Sequence, residues 1–225
     1  MNKAFALTAM MLTVCFMESF AQTVSGNTAG HNYVDLGLPS GTKWATCNVG
    51  ATTPTESGDF FAWGETQPKE VYSWATYKWC NGSRRALTKY CTEKKHGIVD
   101  NKTLLDAEDD AATANWGENW CMPSKENFEE LLKNCRWVWT DNYNGTGISG
   151  RIGTSKKNGN TIFLPATGYK RNNTLYYVGE CGYYSSASGY ENTSNIAYNI
   201  LTGNTGIDWN VNNRFFGQSV RAVLK

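Results

Sequence analysis

The chain has 225 residues, with 21 Lys and Arg against 20 Asp and Glu, for a formal net charge of +1. That balance supplies no general electrostatic pull toward nucleic acid or an acidic surface. With 9 Trp, 12 Tyr and 22 Gly but only 18% charged residues, the composition is aromatic and turn-rich, and the length suits one domain with a real core.

Residues 1–21 begin with Lys3, continue through an apolar run and end on small residues, Ser19 and Ala21. This pattern predicts a secretory signal peptide and therefore export to the periplasm, the cell surface or the medium. The run is too short for a transmembrane segment. A lipoprotein cut at Cys15 is the weaker alternative, because Val14 is bulkier than the residue such a cut prefers. Cleavage after Ala21 leaves Cys47, Cys80, Cys91, Cys121, Cys135 and Cys181. An even number in an exported chain points to disulfides, and six cysteines allow fifteen pairings.

Residues 22–32 are polar and predict a flexible N-terminal segment, with a single domain over 33–225. Val34, Leu36 and Leu38 then alternate, Pro39-Ser40-Gly41 turns, and Trp44 opens a return strand. Residues 52–103 carry few periodic runs, so they form a functional loop or need a staple. A short helix is expected near DAEDDAATANW, its acidic start suiting the helix dipole. Ser124 caps a second helix, on which Phe128, Leu131 and Leu132 form one apolar stripe. Asn134 suits its end, because Asn tolerates the left-handed conformation. That helix rises roughly 15 Å, so Cys121 and Cys135, at its two ends, cannot bond to each other. Strands follow at RWVWT, TIFLPATGY, LYYVG, SNIAYNILT and FFGQSVRAV, separated by turns. The fold class is α+β, with two short helices in the middle and strands at both ends.

The ordered series YVDLGLPSGTKWATCNVGA, GDFFAWGET, LTKYC, DDAATANWGENWCMPSKENFEELLKNCRWVW, IFLPATGY, GYYSS and GQSVRAV resembles the Fibrobacter succinogenes major paralogous domain family over about residues 33–223. The resemblance implies a C-type lectin-like mixed fold near the formylglycine-generating-enzyme domains, with twisted antiparallel strands and long loops. It implies export but no particular reaction. The family often has Arg at the position of Cys121 and Trp at that of Tyr184, and Cys181 is not among its usual cysteines. Read against that pattern, the two unusual cysteines are expected to pair as Cys121–Cys181, with Cys80–Cys91 and Cys47–Cys135 proposed as the other two bridges.

Each candidate chemistry has a plain structural counterpart. GTGISG (145–150) matches a dinucleotide-binding fingerprint but precedes turn-like residues instead of a helix, so its glycines suit hairpins. His31 and His96 lie in polar surroundings with no nucleophile motif nearby, and no zinc spacing occurs. Asp208, Asn210 and Asn212 alternate as if on one strand face. They are a poor calcium set unless a loop such as Asp109-Asp110 adds carboxylates. Trp44, Trp63, Trp116, Trp137 and Trp139 fit a core. Trp74, Tyr77, Trp79, Tyr183, Tyr184, Tyr190 and Trp209 fit either the core of the loops or an exposed stacking platform. The candidate ligand-binding residues are Tyr183, Tyr184, Tyr190, Asp208, Trp209 and Asn210. The expected function is a secreted or surface non-catalytic binding domain for a glycan or an extracellular protein. The alternatives are a formylglycine-generating or other cysteine-based oxidative enzyme, and a purely structural surface module.

Overall fold

The computed structural model describes residues 21–225, so the expected signal peptide lies almost wholly outside the described residues. Strands β1 (Gly26–Thr28) and β2 (His31–Asp35) form a hairpin around Ala29-Gly30, and β3 (Lys43–Ala45) pairs back on β2 with Val34 opposite Trp44. Helix α1 (Ala111–Trp116) leads into β4 (Trp120–Cys121), and α2 (Lys125–Asn134) runs directly into β5 (Cys135–Thr140). Then come β6 (Gly150–Ser155), β7 (Thr161–Pro165), β8 (Tyr169–Arg171), β9 (Thr174–Tyr176), β10 (Cys181–Gly189), β11 (Ile196–Gly203), β12 (Gly206–Asn213) and β13 (Val223–Leu224). The last strand inserts between β3 and β4, giving the sheet order β1-β2-β3-β13-β4; β5-β6-β7, β10-β11-β12 and β8-β9 form three further sheets. Every strand pair within these sheets is antiparallel. The body is thus mostly β, with two short α-helices in mid-chain, and no helix among the described residues is long and apolar enough to cross a membrane.

Sequence signals set α2. Ser124 Oγ accepts from Asn127 N, and the Asn127 side chain accepts from Ser124 N, a reciprocal cap that satisfies two donors. Phe128 and Leu131 face a core made with Val34, Leu36, Trp44, Ile162, Tyr184 and Ile200. The helix ends without a left-handed residue: Cys135 is already extended, and Asn134 Nδ2 donates to the Glu130 carbonyl instead. The β5 tryptophans are only half-buried, although Trp137 still packs on this core. GTGISG leads into β6 and not into a helix, as hairpin glycines should.

Two expectations are corrected. Residues 22–32 are structured: Gln22 Nε2 donates to Thr46 O, Gln22 Oε1 accepts from Phe163 N, and β1 occupies part of the segment. Backbone and amide bonds order it with little apolar burial, which a hydrophobicity pattern cannot register. The second correction concerns sulfur. All six described cysteines are unpaired. Ala187 N donates to Pro123 O, so Cys121 lies near one end of β10 while Cys181 opens the other, six residues or roughly 20 Å away along the strand. Thr46, beside Cys47, bonds Asn32, whereas Ser155, opposite Cys135, bonds Leu36. Those two anchors are separated by roughly 13 Å of extended chain. Neither pair is bonded, and each cysteine of a pair is anchored to a different stretch of chain. Cys80 and Cys91 share a core cluster, but the Cys80 thiol donates to Trp74 O and the Cys91 thiol to Glu93 O.

What staples residues 52–103 is aromatic. Tyr72 donates its hydroxyl to Phe60 O at 2.6 Å, Tyr77 to Trp63 O at 2.7 Å and Tyr90 to Asp109 Oδ2 at 2.6 Å. The indoles of Trp63 and Trp79 donate to Ser186 O and Gly64 O. Each ring buries apolar area while its one polar atom satisfies a partner that the turns leave free.

Candidate functional site

The six expected ligand residues do not form one surface. Tyr184, Ile200 and Trp209 stand opposite one another on β10, β11 and β12, with their side chains toward α2. Tyr184 is 0% exposed and its hydroxyl donates to Pro165 O, so it is a core residue. The Trp209 ring meets Phe128 at 6.1 Å and Tyr198 at 5.5 Å, and it is half-buried there. Tyr190 packs edge-on against Tyr198 beyond the far end of β10. Asp208 is exposed and Asn210 half-buried. Of the six, only Tyr183 belongs to an exposed aromatic face.

That face is the β8–β9 hairpin and the chain that follows it. Leu175, Tyr176, Tyr177 and Val178 run consecutively on the surface, with Tyr177 50% and Val178 54% exposed. Tyr169 stands behind them. Its ring stacks on Tyr176 at 5.4 Å and on Phe216 at 4.9 Å, and meets Tyr183 edge-on at 4.9 Å. Phe216 continues inward to Phe215, Trp74 and buried Tyr77. Backbone bonds fix the hairpin from below: Tyr72 and Asn172 exchange a pair, as do Lys170 and Gly217. The rings are therefore held, not loosely displayed. Burial and the neighbouring Cys181, Tyr169 and Tyr177 push the Tyr183 phenol up to about 12, so it stays a neutral hydrogen-bond donor. Of the expected strand LYYVG only Leu175 and Tyr176 lie in β9, and Val178-Gly179 turn; the exposure of the run was not legible, because a two-stranded unit can cover one face at most.

Metal and thiol chemistry find less support. Asp208, Asn210 and Asn212 do share a strand face, but their partners across β11 are Leu201, Asn199 and Ala197, which add no carboxylate. Asp109 and Asp110 are committed elsewhere: Asp109 to Lys89, Lys78 and Tyr90, and Asp110 to the backbone N–H groups of Thr113 and Met122. The calcium set is not assembled. Asp106, Glu108 and Asp109 do converge, yet Lys89 Nζ sits among them at 2.8, 2.9 and 2.6 Å, filling the place of a cation. Burial pushes the Cys121 and Cys135 thiols up to about 11 and raises those of Cys80 and Cys181, opposite to what a nucleophilic thiolate needs. Neither histidine is simply solvated. His31 lies 3.8 Å from Trp116, stacked on its ring, and His96 is tied at both ring nitrogens.

The Lys89 cluster yields a pH prediction. Lys102 and Lys89 hold the Asp106 carboxyl down at about 2. A depressed carboxylate adds stability that is complete above its unfolded value near 4 and drains away as pH falls toward 2. Asp106→Asn should therefore flatten the acid side of a Tm-against-pH curve in that window, and an unchanged acid limb refutes the assignment.

No family model, curated protein or solved structure matches this chain. The functional reading therefore rests on the surface itself.

Proposed function

We propose that the chain is an exported, non-catalytic binding domain that lays the Tyr176–Tyr177 face against an extracellular glycan. One observation carries the reading: a contiguous exposed run of two tyrosines and two aliphatic residues, pinned by Tyr169 and Phe216 to the core. Rigid aromatic faces stack on sugar rings at little entropic cost, and phenol hydroxyls supply polar contacts. Export rests on the N-terminal pattern. The C-type lectin-like fold rests on the family resemblance, with which a mostly β body and two mid-chain helices are compatible. The raised thiols and the separation of Cys121 from Cys181 weigh against the oxidative-enzyme alternative.

The aliphatic members, Leu175 and Val178, favour a second reading in which the same face docks on a protein. A glycan array beside an extracellular-protein pull-down separates the two. Alanine at both Tyr176 and Tyr177 should cost about 2 kcal/mol per ring, about thirtyfold in Kd each, as truncated hot spots do. Because both rings are exposed, Tm should hardly move. Retention of the ligand by the double variant would reject this face.

A further inference from the structure

A second surface has a different chemistry. Ala86 N donates to Ser83 O, closing a turn with Arg84 and Arg85 at its centre. His96 N donates to Glu93 O, closing another turn with Lys94 and Lys95 at its centre. The two turns are locked together. Leu87 N donates to His96 O, Ile98 N donates to Leu87 O, and Leu87 itself is fully buried. His96 Nδ1 lies 3.1 Å from the Arg84 carbonyl, which can only accept, so that nitrogen carries the proton. Gly97 is required at this seam, because its φ is +148° and a Cβ there would strike the Leu87 carbonyl oxygen. Arg84, Arg85, Lys95 and His96 line a cleft of about 490 Å³ whose other wall is Thr193 and Asn195. The two turns thus carry four cationic side chains, Arg84, Arg85, Lys94 and Lys95, against one local carboxylate, Glu93, in a chain of net charge +1. Glu93 is occupied by Lys95 at 2.8 Å, whereas the Arg84 and Arg85 side chains are exposed and make no ion pair among the described residues.

The geometry points to this cleft as a binding site for the oxyanion groups, sulfate or carboxylate, of an acidic polysaccharide. Unpaired guanidinium groups on a fixed turn match such oxyanions bidentately. The polar wall favours a sugar over an acidic peptide. Thr193 Oγ1 lies 2.8 Å from Asn195 Oδ1 and 3.0 Å from His96 Nε2, and the Asn195 amide NH₂ remains a donor for ring hydroxyls beside the charge. The site lies past the end of β10 distant from Cys181, since Thr193 and Asn195 follow Gly189, so it is separate from the tyrosine face and does not depend on it.

Titration of the whole chain with dextran sulfate, polygalacturonate, neutral dextran and poly-glutamate tests the assignment. Dextran sulfate, polygalacturonate or both should bind, increasingly weakly as salt rises, and neutral dextran should bind at least about tenfold less well. Which acidic polymer binds decides between sulfate and carboxylate as the group recognised. Arg84→Ser with Arg85→Ser should weaken binding by at least about tenfold, the scale of one charge-assisted hydrogen bond. Lys94→Ser with Lys95→Ser provides a second, independently folded variant that should also lose affinity. Tyr176→Ala with Tyr177→Ala should leave this binding intact, so failure of the tyrosine reading and failure of this one are distinguishable. Equal affinity for neutral dextran, unchanged binding by both basic-turn variants, or poly-glutamate binding as tightly as the acidic polysaccharides would overturn the proposal.

Discussion

Phe128→Ala is expected to remove about 3–5 kcal/mol of stability, the upper range for a buried aromatic truncated to alanine. Phe128 is fully buried at the start of α2, where its ring lies 5.2 Å from Trp44 of β3 and 6.1 Å from Trp209 of β12. One side chain thus joins the helix to two separate sheets. The void left by alanine would be walled by two indoles, each fixed by its own strand, so the site has little room to collapse. That places the loss toward the top of the range. A domain of this kind has about 5–15 kcal/mol in total, so the variant should be visibly marginal. Urea unfolding should show a lower midpoint at an unchanged slope, with native tryptophan emission shifted red as Trp44 and Trp209 meet water. Glu129→Ala, on the exposed side of the same helix, should stay within about 0.5 kcal/mol. If the two variants unfold alike, α2 does not carry the core.

Phe128 and Leu131 were readable from the sequence because a helix repeats its buried face every three to four residues, and the Ser124 cap marked where counting should begin. The hairpin that sets Val34 against Trp44 was readable for the matching reason in strands. Tyr183 and Tyr184 were not separable. They are neighbours on opposite faces of β10, and which face is covered depends on β12 placing Trp209 beside Ile200, a register fixed through the turns. The cysteines misled because an even number in an exported chain is a statement about compartment and not about distance. Cys121 and Cys181 stand on different strands, β4 and β10, whereas the Cys80 and Cys91 thiols turn to the Trp74 and Glu93 carbonyls. The tyrosines and tryptophans of residues 60–90 tie the loops instead, by phenol and indole bonds to carbonyls 12 to 15 residues away and, from Trp63, to Ser186 of β10. No local pattern encodes such a bond, since the acceptor is any carbonyl that the fold brings within reach.

Gly168→Ala should damage both stability and the tyrosine face. Gly168 has φ +69°, and a Cβ there would land on the Tyr176 carbonyl oxygen, with Val178 N only 3.1 Å away. Its own N–H donates to Cys181 O at 2.7 Å, and Gly179 N donates to Ala166 O, so the segment after β9 is laced against this glycine from both sides. An alanine methyl can fit only if residues 176–178 lift away, and these are the residues that present Tyr176 and Tyr177. Overpacking and left-handed strain together put the cost at about 2–4 kcal/mol. Gly179→Ala is the matched control: its φ is +80°, but nothing lies within 4 Å of the added carbon, so it carries the backbone strain alone, about 1 kcal/mol. Chemical denaturation of the pair should separate clash from strain. Limited proteolysis should find the exposed stretch 171–180 cut faster in Gly168→Ala than in Gly179→Ala. Equal stability and equal cutting in the two variants would mean that the hairpin does not rest on Gly168, and the Tyr176–Tyr177 face would then lack the rigid support on which its role as a docking surface depends.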